Sequence, residues 1–267
     1  MLRDITLGQY YQTDSILHRL DPRVKVVGTI AYIVALFVSN SVWGYLLAFG
    51  FLCAVIAISR VPLHYMLKGM KSIAVLLLIT VVFNLFLTPG EVIFGVWKIH
   101  ITKEGVALAV TMALRLSFLI VGSNIMTLTT TPNALTDGME SLMGPLKKIR
   151  VPVHEISMMM SIALRFIPIL MEETDRIMKA QMARGADFES GNLVKRAKNL
   201  VPLLIPLFIA AFRRAGDLAM AMEARCYRGG DSRTKMKPLC YKKRDAMAYI
   251  VLLLLVAAAI TLRVVVK

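Results

Sequence analysis

The sequence predicts an all-α integral membrane protein with about five transmembrane helices and a cytoplasmic section of long amphipathic helices. Of its 267 residues, 57% are hydrophobic and 18% are charged, whereas soluble domains carry about 25% charged residues. The mean hydropathy is +0.65, and long uncharged runs of the kind that a bilayer requires recur along the chain. Lys and Arg total 32 against 17 Asp and Glu, which gives a net charge of +15.

This positive charge is typical of a membrane protein whose cytoplasmic loops set its topology. Nucleic-acid binding is not expected, because no basic patch with interleaved aromatic residues is visible. The histidines and cysteines show neither CxxC nor HExxH spacing, so the sequence predicts no metal site and no cofactor. Residues 1–20 are mixed and polar, without the continuous apolar run of a signal peptide.

The first two helices are predicted from one uncharged stretch. Asp21 can cap a helix, and Pro22 fits the first helical position. The stretch from Val26 to Ser59 contains no charged residue and is too long for one crossing of a hydrocarbon core of about 30 Å. The polar residues 39–41 are the natural break, so the sequence predicts two short spans over 22–39 and 42–59.

Three more spans follow. The third is predicted at 72–87, after a basic connection over 60–71, and the fourth at 105–129. The fifth corresponds to the apolar run 246–262. Arg115 interrupts the fourth span, and a charge near mid-bilayer costs about 2.5–3.5 kcal/mol on insertion scales. We therefore expect Arg115 to face protein or water, or to reach an interface.

The distribution of Lys and Arg predicts the orientation. Because the 60–71 connection is basic and the segments 39–41 and 88–104 are not, the N-terminus and the chain after residue 130 are expected in the cytoplasm. The predicted organisation is a membrane domain over 1–130, a cytoplasmic domain over 131–243 and a C-terminal transmembrane helix over 244–267. The protein is thus expected in the inner membrane as a multi-pass protein.

The middle section does not behave like further spans. The run 200–212 has thirteen residues and two prolines, and runs of 10–14 residues favour interfacial or protein-buried segments. The run 156–171 contains Arg165 and Pro168 and is an equally poor candidate. We predict long helices that are apolar at one end and amphipathic at the other, near the cytoplasmic face of the membrane.

Two of these helices finish alike. The segments 169–185 and 210–226 superpose with an offset of 41 residues. Each ends in Ala and Arg, followed by Gly185 in the first segment and by Cys226 in the second. Gly suits a left-handed helix stop, and Arg in a last turn complements the helix dipole. Two similar helix ends, each with a planar and permanently charged guanidinium, suggest a protein that connects two similar partners with acidic grooves. The candidate contact residues are Ala183, Arg184, Gly185, Ala224, Arg225 and Cys226.

These motifs resemble the transmembrane T component of energy-coupling factor transporters, which import vitamins and transition-metal ions into prokaryotes. The resemblance covers essentially the whole chain. Its motifs are residues 18–25 (HRLDPRVK), 129–132 (TTTP), 163–168 (ALRFIP) and the two Ala-Arg motifs, which are the specific part. The second Ala-Arg motif departs from the family pattern, because Cys226 stands where a Gly is common.

The resemblance implies a non-catalytic subunit with three protein partners. Arg184 would enter a groove on one ABC ATPase, and Arg225 would enter the equivalent groove on the other. A separate membrane S component would bind the substrate and lie on the apolar surface of the coupling helices. The chain carries no G-x-x-x-x-G-K-[ST] sequence, so ATP hydrolysis is expected in the partners.

Two alternatives stay open from the residues alone. An interfacial membrane enzyme would need carboxylates or histidines at membrane depth. Its best candidates are Glu140, Glu155, Glu172, Glu173 and Asp175, of which the last three are more simply interpreted as a solvated helix face. A self-contained transporter would be favoured by inverted repeats of the spans, and the sequence shows none.

Overall fold

The structure is a computed structural model that describes residues 10–39, 41–96, 99–186, 188, 192, 194, 198–229, 236 and 238–265. Over these residues the elements are α1 (Pro22–Val38), α2 (Val42–Ser59), α3 (Leu63–Leu87), β1 (Val92–Val96), β2 (Ile99–Thr102), α4 (Lys103–Thr129), α5 (Pro132–Leu142), a 3₁₀ helix (Gly144–Ile149), α6 (Val153–Ala183), α7 (Val201–Ala224) and α8 (Lys243–Val265). The predicted all-α class is confirmed.

The break between α1 and α2 lies where the polar residues predicted it. The Asp21 carboxylate accepts the backbone N–H of Arg23 at 2.9 Å, so it caps α1 as expected. The Ser41 hydroxyl accepts the N–H of Gly44 at 3.3 Å and caps α2. The predicted division of the long uncharged stretch into two helices is therefore confirmed.

The start of α3 differs from the prediction. The sequence predicted a connection over 60–71, but α3 begins at Leu63. Its two parts, Leu63–Lys71 and Ile73–Leu87, are bent by 61° relative to each other. Arg60 ends α2 in the left-handed region with φ 55°. Lys68 and Lys71 thus lie on the helical part that precedes the bend instead of in a loop.

A two-stranded antiparallel hairpin joins α3 to α4, and the sequence did not predict it. β1 and β2 pair through residues 92–102 with an irregularity between Val92 and Phe94. The Thr102 hydroxyl donates to the Thr88 carbonyl at 2.8 Å and accepts the N–H of Gly105 at 3.0 Å. It therefore caps α4 and ties the hairpin to the end of α3.

The described part of the chain has four helices that are long and apolar enough to cross a membrane, or five if the bent α3 is one span. Helices α2, α4 and α8 agree with predicted spans, as does the bent α3. Helix α1 has 17 residues, which is the lower end of the range for a span. Helix α6 is also long and apolar enough to cross a membrane. This finding differs from the prediction, because Arg165 and Pro168 make the run 156–171 a poor candidate from its sequence.

Contacts divide the chain into two units, and the first contains Gly8–Ser141 and Leu239–Lys267. In this unit α1 packs against α2, α4 and α8, and Leu36 of α1 is fully buried in the shared core. Helix α5 belongs to the same unit, because a Cβ at Gly138 would lie 2.9 Å from Pro22.

Arg115 faces protein in this unit, as one of the expected alternatives required. Its Nε donates to the Tyr45 hydroxyl at 3.0 Å, and a terminal nitrogen donates to the Ser39 carbonyl at 3.3 Å. The guanidinium also lies 5.5 Å from the Phe37 ring centroid. Arg115 of the fourth predicted span therefore links α4 to the end of α1 and to α2.

The second unit contains Leu142–Pro238, in which α6 and α7 pack on each other. It begins eleven residues later and ends five residues earlier than the predicted section 131–243. The later start arises because α5 belongs to the first unit. The assignment of this section to the cytoplasm stays a prediction.

Candidate functional site

The C-terminal end of α6 is a complete Schellman cap. Arg184 is the C-cap residue, and Gly185 follows with φ +90°. The N–H of Gly185 donates to the Met182 carbonyl, and the N–H of Ala186 donates to the Gln181 carbonyl, both at 3.0 Å. These two bonds satisfy carbonyl groups that the helix end would leave without partners.

The end of α7 has the same cap. Arg225 is the C-cap residue, and Cys226 follows with φ +55°. The N–H of Cys226 donates to the Glu223 carbonyl at 2.8 Å, and the N–H of Tyr227 donates to the Met222 carbonyl at 3.0 Å. Each bond corresponds to one at the end of α6, 41 residues earlier, so the match in sequence is also a match in backbone geometry.

The six candidate residues lie on these two turns, and all of them are exposed. Within the described residues, neither the Arg184 nor the Arg225 guanidinium donates a hydrogen bond or forms an ion pair. Their five N–H groups are therefore available for a planar acceptor such as a carboxylate. Each turn presents this charge on a rigid, capped helix end.

Cys226 adopts a left-handed conformation that costs a non-glycine residue about 1–2 kcal/mol. We expect Cys226→Gly to raise the melting temperature of the purified chain because the strain is removed, and Gly185→Ala to lower it because the strain is added. A Cβ at Gly185 meets nothing within 4 Å. The change in melting temperature of Gly185→Ala therefore reports the backbone conformation and not a steric clash. The measurement is thermal unfolding in detergent, and shifts of equal sign in the two variants would contradict the expectation.

An ion pair between equivalent positions joins the two helices. A terminal nitrogen of Arg214 donates to Glu173 Oε2 at 3.1 Å, and the two residues are separated by the same 41 positions as the two motifs. The interpretation of Glu173 as part of a solvated face is wrong, because its side chain is only 20% exposed. The repeat offset was the signal that could have predicted this contact.

The two helices run in opposite directions where they touch. Ile162 of α6 and Leu218 of α7 line one cleft, whereas Glu173, later on α6, pairs with Arg214, earlier on α7. Each candidate Arg lies eleven residues beyond the ion pair, or about 16 Å along its helix. The two motif-bearing ends therefore extend away from the contact on different sides.

The cleft beside the second motif has a volume of about 390 Å³. Its apolar wall consists of Met158 and Ile162 from α6 with Leu218 and Met222 from α7, and its rim carries Arg225 and Arg228. An apolar groove with two cations at its edge is suited to a partner segment that combines apolar and acidic side chains.

Two of the other motifs that carry the resemblance contact each other. Lys25 Nζ donates to the Thr129 carbonyl at 2.8 Å and to the His18 carbonyl at 3.3 Å, which joins residues 18–25 to the end of α4. Burial lowers the pKa of His18, although its hydrogen bond to the Tyr11 carbonyl opposes the effect. Arg165 is exposed on α6. In the part of the chain that the structure describes, no group of three or more metal-ligating side chains comes together.

Comparisons with known proteins agree with one another. The model of the family CbiQ, described as cobalt transport protein, matches residues 13–236. The energy-coupling factor transporter transmembrane protein EcfT of Clostridium kluyveri is 55% identical over 267 residues, which cover 99% of this chain and 98% of that protein. EcfT of Acidaminococcus fermentans is 54% identical over 256 residues (96% and 95%), and EcfT of Bacillus subtilis is 44% identical over 264 residues (98% and 100%).

Proposed function

The chain belongs to the CbiQ family and is a transmembrane component of energy-coupling factor transporters, and from this premise we propose that it couples two ABC ATPases to a substrate-binding S component. It is a transporter component and not a catalytic enzyme. The proposed transporter imports a vitamin or a transition-metal ion, and the ATPases supply the hydrolysis.

The observation that carries this proposal is the pair of equivalent C-terminal caps on α6 and α7. Two Arg residues lie at equivalent positions of two equivalent helix ends, and both are exposed. A guanidinium that is fixed on a capped helix and has no partner within the described chain is suited to an external carboxylate. Two such ends are consistent with two similar ATPases, Arg184 binding one of them and Arg225 the other.

The apolar face of α7 supports a membrane partner. Large side chains of this helix are 46–61% exposed at the positions Leu204, Ile205, Phe208 and Ile209, and Phe212 is 74% exposed. The rings of Phe208 and Phe212 stack with centroids 6.5 Å apart. A contiguous exposed apolar surface of this kind marks an interaction site. We assign it to the S component.

In the proposed mechanism, ATP binding brings the two ATPases together and carries both helix ends with them. The Glu173–Arg214 ion pair holds α6 and α7 against each other, so a displacement of one end reaches the other helix. The apolar face of α7 then reorients the S component in the membrane. This mechanism places residues 131–243 in the cytoplasm, in agreement with the distribution of basic residues.

Site-specific photo-cross-linking tests the proposal. Cys226 is exposed and adjacent to Arg225, so a variant that keeps this cysteine alone can carry a benzophenone probe. Met182→Cys, in a chain without the native cysteines, places the same probe beside Arg184 on a side chain that is 50% exposed. In membranes that also contain the host's candidate ATPases, we expect both probes to capture an ATPase subunit.

Cys53 provides the matched control, because it is exposed on α2 in a predicted span. A probe at Cys53 should capture no ATPase. Equal capture from Cys53 and from the two helix ends, or no capture from either end, would show that the caps are not the ATPase contacts.

A further inference from the structure

The first unit contains a cavity that the coupling function does not use. It has a volume of about 350 Å³ and lies among α1, α2, α4 and α8, all of which belong to this unit. Its walls are apolar and include Phe51, Val55, Ile125, Val251 and Leu252. A cavity of this size lies within the range of small-molecule sites.

Both cationic residues of the cavity lie at one end of it. The backbone N–H of Asp21 donates to Asp245 Oδ1 at 2.9 Å, so the starts of α1 and α8 are adjacent. Seven residues further along each helix, a Cβ at Gly28 would lie 3.1 Å from Leu252. The helices therefore run parallel and in register, which places Lys25 and Arg244 at the same end of the cavity.

Each of these two cations has N–H donors that no group of the described residues accepts. The Lys25 ammonium, with the residue 8% exposed, uses two of its three protons on the Thr129 and His18 carbonyls. Arg244 is half-buried, and within the described residues its guanidinium forms neither a hydrogen bond nor an ion pair. The end of the cavity thus presents positive charge beside an apolar interior.

Tyr32 lines the same cavity further along α1. The residue is 4% exposed, and its hydroxyl is buried without a hydrogen-bond partner among the described residues. Its ring stacks on Phe51 with centroids 5.8 Å apart, and a Cβ at Gly122 would lie 2.6 Å from it. The hydroxyl is inaccessible to a group of the size of water, so Tyr32 contributes only its ring to the apolar wall of the cavity.

We propose that this cavity binds an anionic glycerophospholipid, with its phosphate on Lys25 and Arg244 and an acyl chain along the apolar part. Tyr32 lies seven residues beyond Lys25, or about 10 Å along α1, so the apolar wall continues away from the charged end in the direction that an acyl chain would take. Basic pockets between transmembrane helices on the cytoplasmic side are typical sites for anionic headgroups.

Native mass spectrometry of the full chain in detergent tests this proposal with two lipids that share their acyl chains. We expect one phosphatidylglycerol to remain bound where phosphatidylcholine does not. Arg244→Gln should weaken phosphatidylglycerol binding about five- to tenfold, because one headgroup charge contact is lost.

Arg263→Gln is the matched control, because this exposed residue lies in the last turn of the same helix. It changes the net charge by the same amount and should leave the affinity unchanged. Equal retention of the two lipids by the native chain would overturn the proposal. So would an equal loss in Arg263→Gln and Arg244→Gln, which would indicate attraction by net charge alone.

Discussion

Replacing both Arg184 and Arg225 with Glu is expected to abolish the retention of ATPases when the chain is purified from membranes. Each substitution puts a carboxylate where a guanidinium is proposed to enter an acidic groove. Loss of one partner of such a buried pair costs about 2–5 kcal/mol, which is at least about thirtyfold in affinity. We expect each single variant to lose one ATPase preferentially and the double variant to lose both.

Two other arginines make this experiment specific. Arg176 on α6 and Arg213 on α7 are exposed and lie on the same helices, away from their ends. Arg176→Glu and Arg213→Glu change the net charge equally and should retain the ATPases. The measurement is the stoichiometry of ATPase in the purified complex. A double variant that retains both ATPases, or controls that lose them, would contradict the assignment of the contacts to the two caps.

Asp245→Ala is expected to cause the largest loss of stability among substitutions in the first unit. The residue is 2% exposed, and its carboxylate accepts the N–H of Asp21 at 2.9 Å and the N–H of Lys242 at 2.7 Å. Alanine leaves both donors without a partner, at about 1–3 kcal/mol for each. The melting temperature should therefore fall by roughly 4–24 °C, on the basis of 2–4 °C per kcal/mol.

Asp217→Ala is the corresponding control. Asp217 is exposed on α7, and surface substitutions of this kind usually change stability by less than about 0.5 kcal/mol. Thermal unfolding in one detergent, followed by intrinsic fluorescence, compares the two variants. Equal shifts would show that the link between α1 and α8 does not depend on the Asp245 carboxylate. Asp245→Asn, which keeps one acceptor oxygen, should lie between the native chain and Asp245→Ala.

Local signals in the sequence were sufficient for most of the fold. Asp21 and Pro22 predicted the start of α1, and the polar residues 39–41 predicted the turn before α2. These predictions succeeded because capping and hydrophobic length act within a few residues and leave direct marks in the chain. The shared ends of α6 and α7 were visible for the same reason, since a C-cap uses residues that are close in sequence.

Features that depend on tertiary contacts were missed. The charges of 60–71 favour a connection, but the helical turns of Leu63–Lys71 bend by 61° into the rest of α3. The sequence does not reveal the role of Arg115, because its partners Tyr45 and Ser39 are about seventy residues away. No periodicity within one segment reports which side chain of another segment it will contact.

Helix α6 shows the limit of hydropathy as a guide. Its apolar first part satisfies the length and composition of a span, while its second part carries Glu172, Glu173 and Arg176. The ion pair of Glu173 with Arg214 of α7 occurs within this charged part. A window that averages over one segment cannot distinguish a lipid-facing surface from one that is covered by another protein helix.

The Glu173–Arg214 contact divides the two helices at equivalent positions. Arg184 and Arg225 therefore each lie eleven residues beyond the contact along their own helix. A one-turn insertion between the contact and the Arg of a single helix would lengthen one end by about 5 Å and leave the residues of its cap unchanged. Under the proposed coupling, in which both ATPases close together, such a variant is expected to lose the equal displacement of the two helix ends.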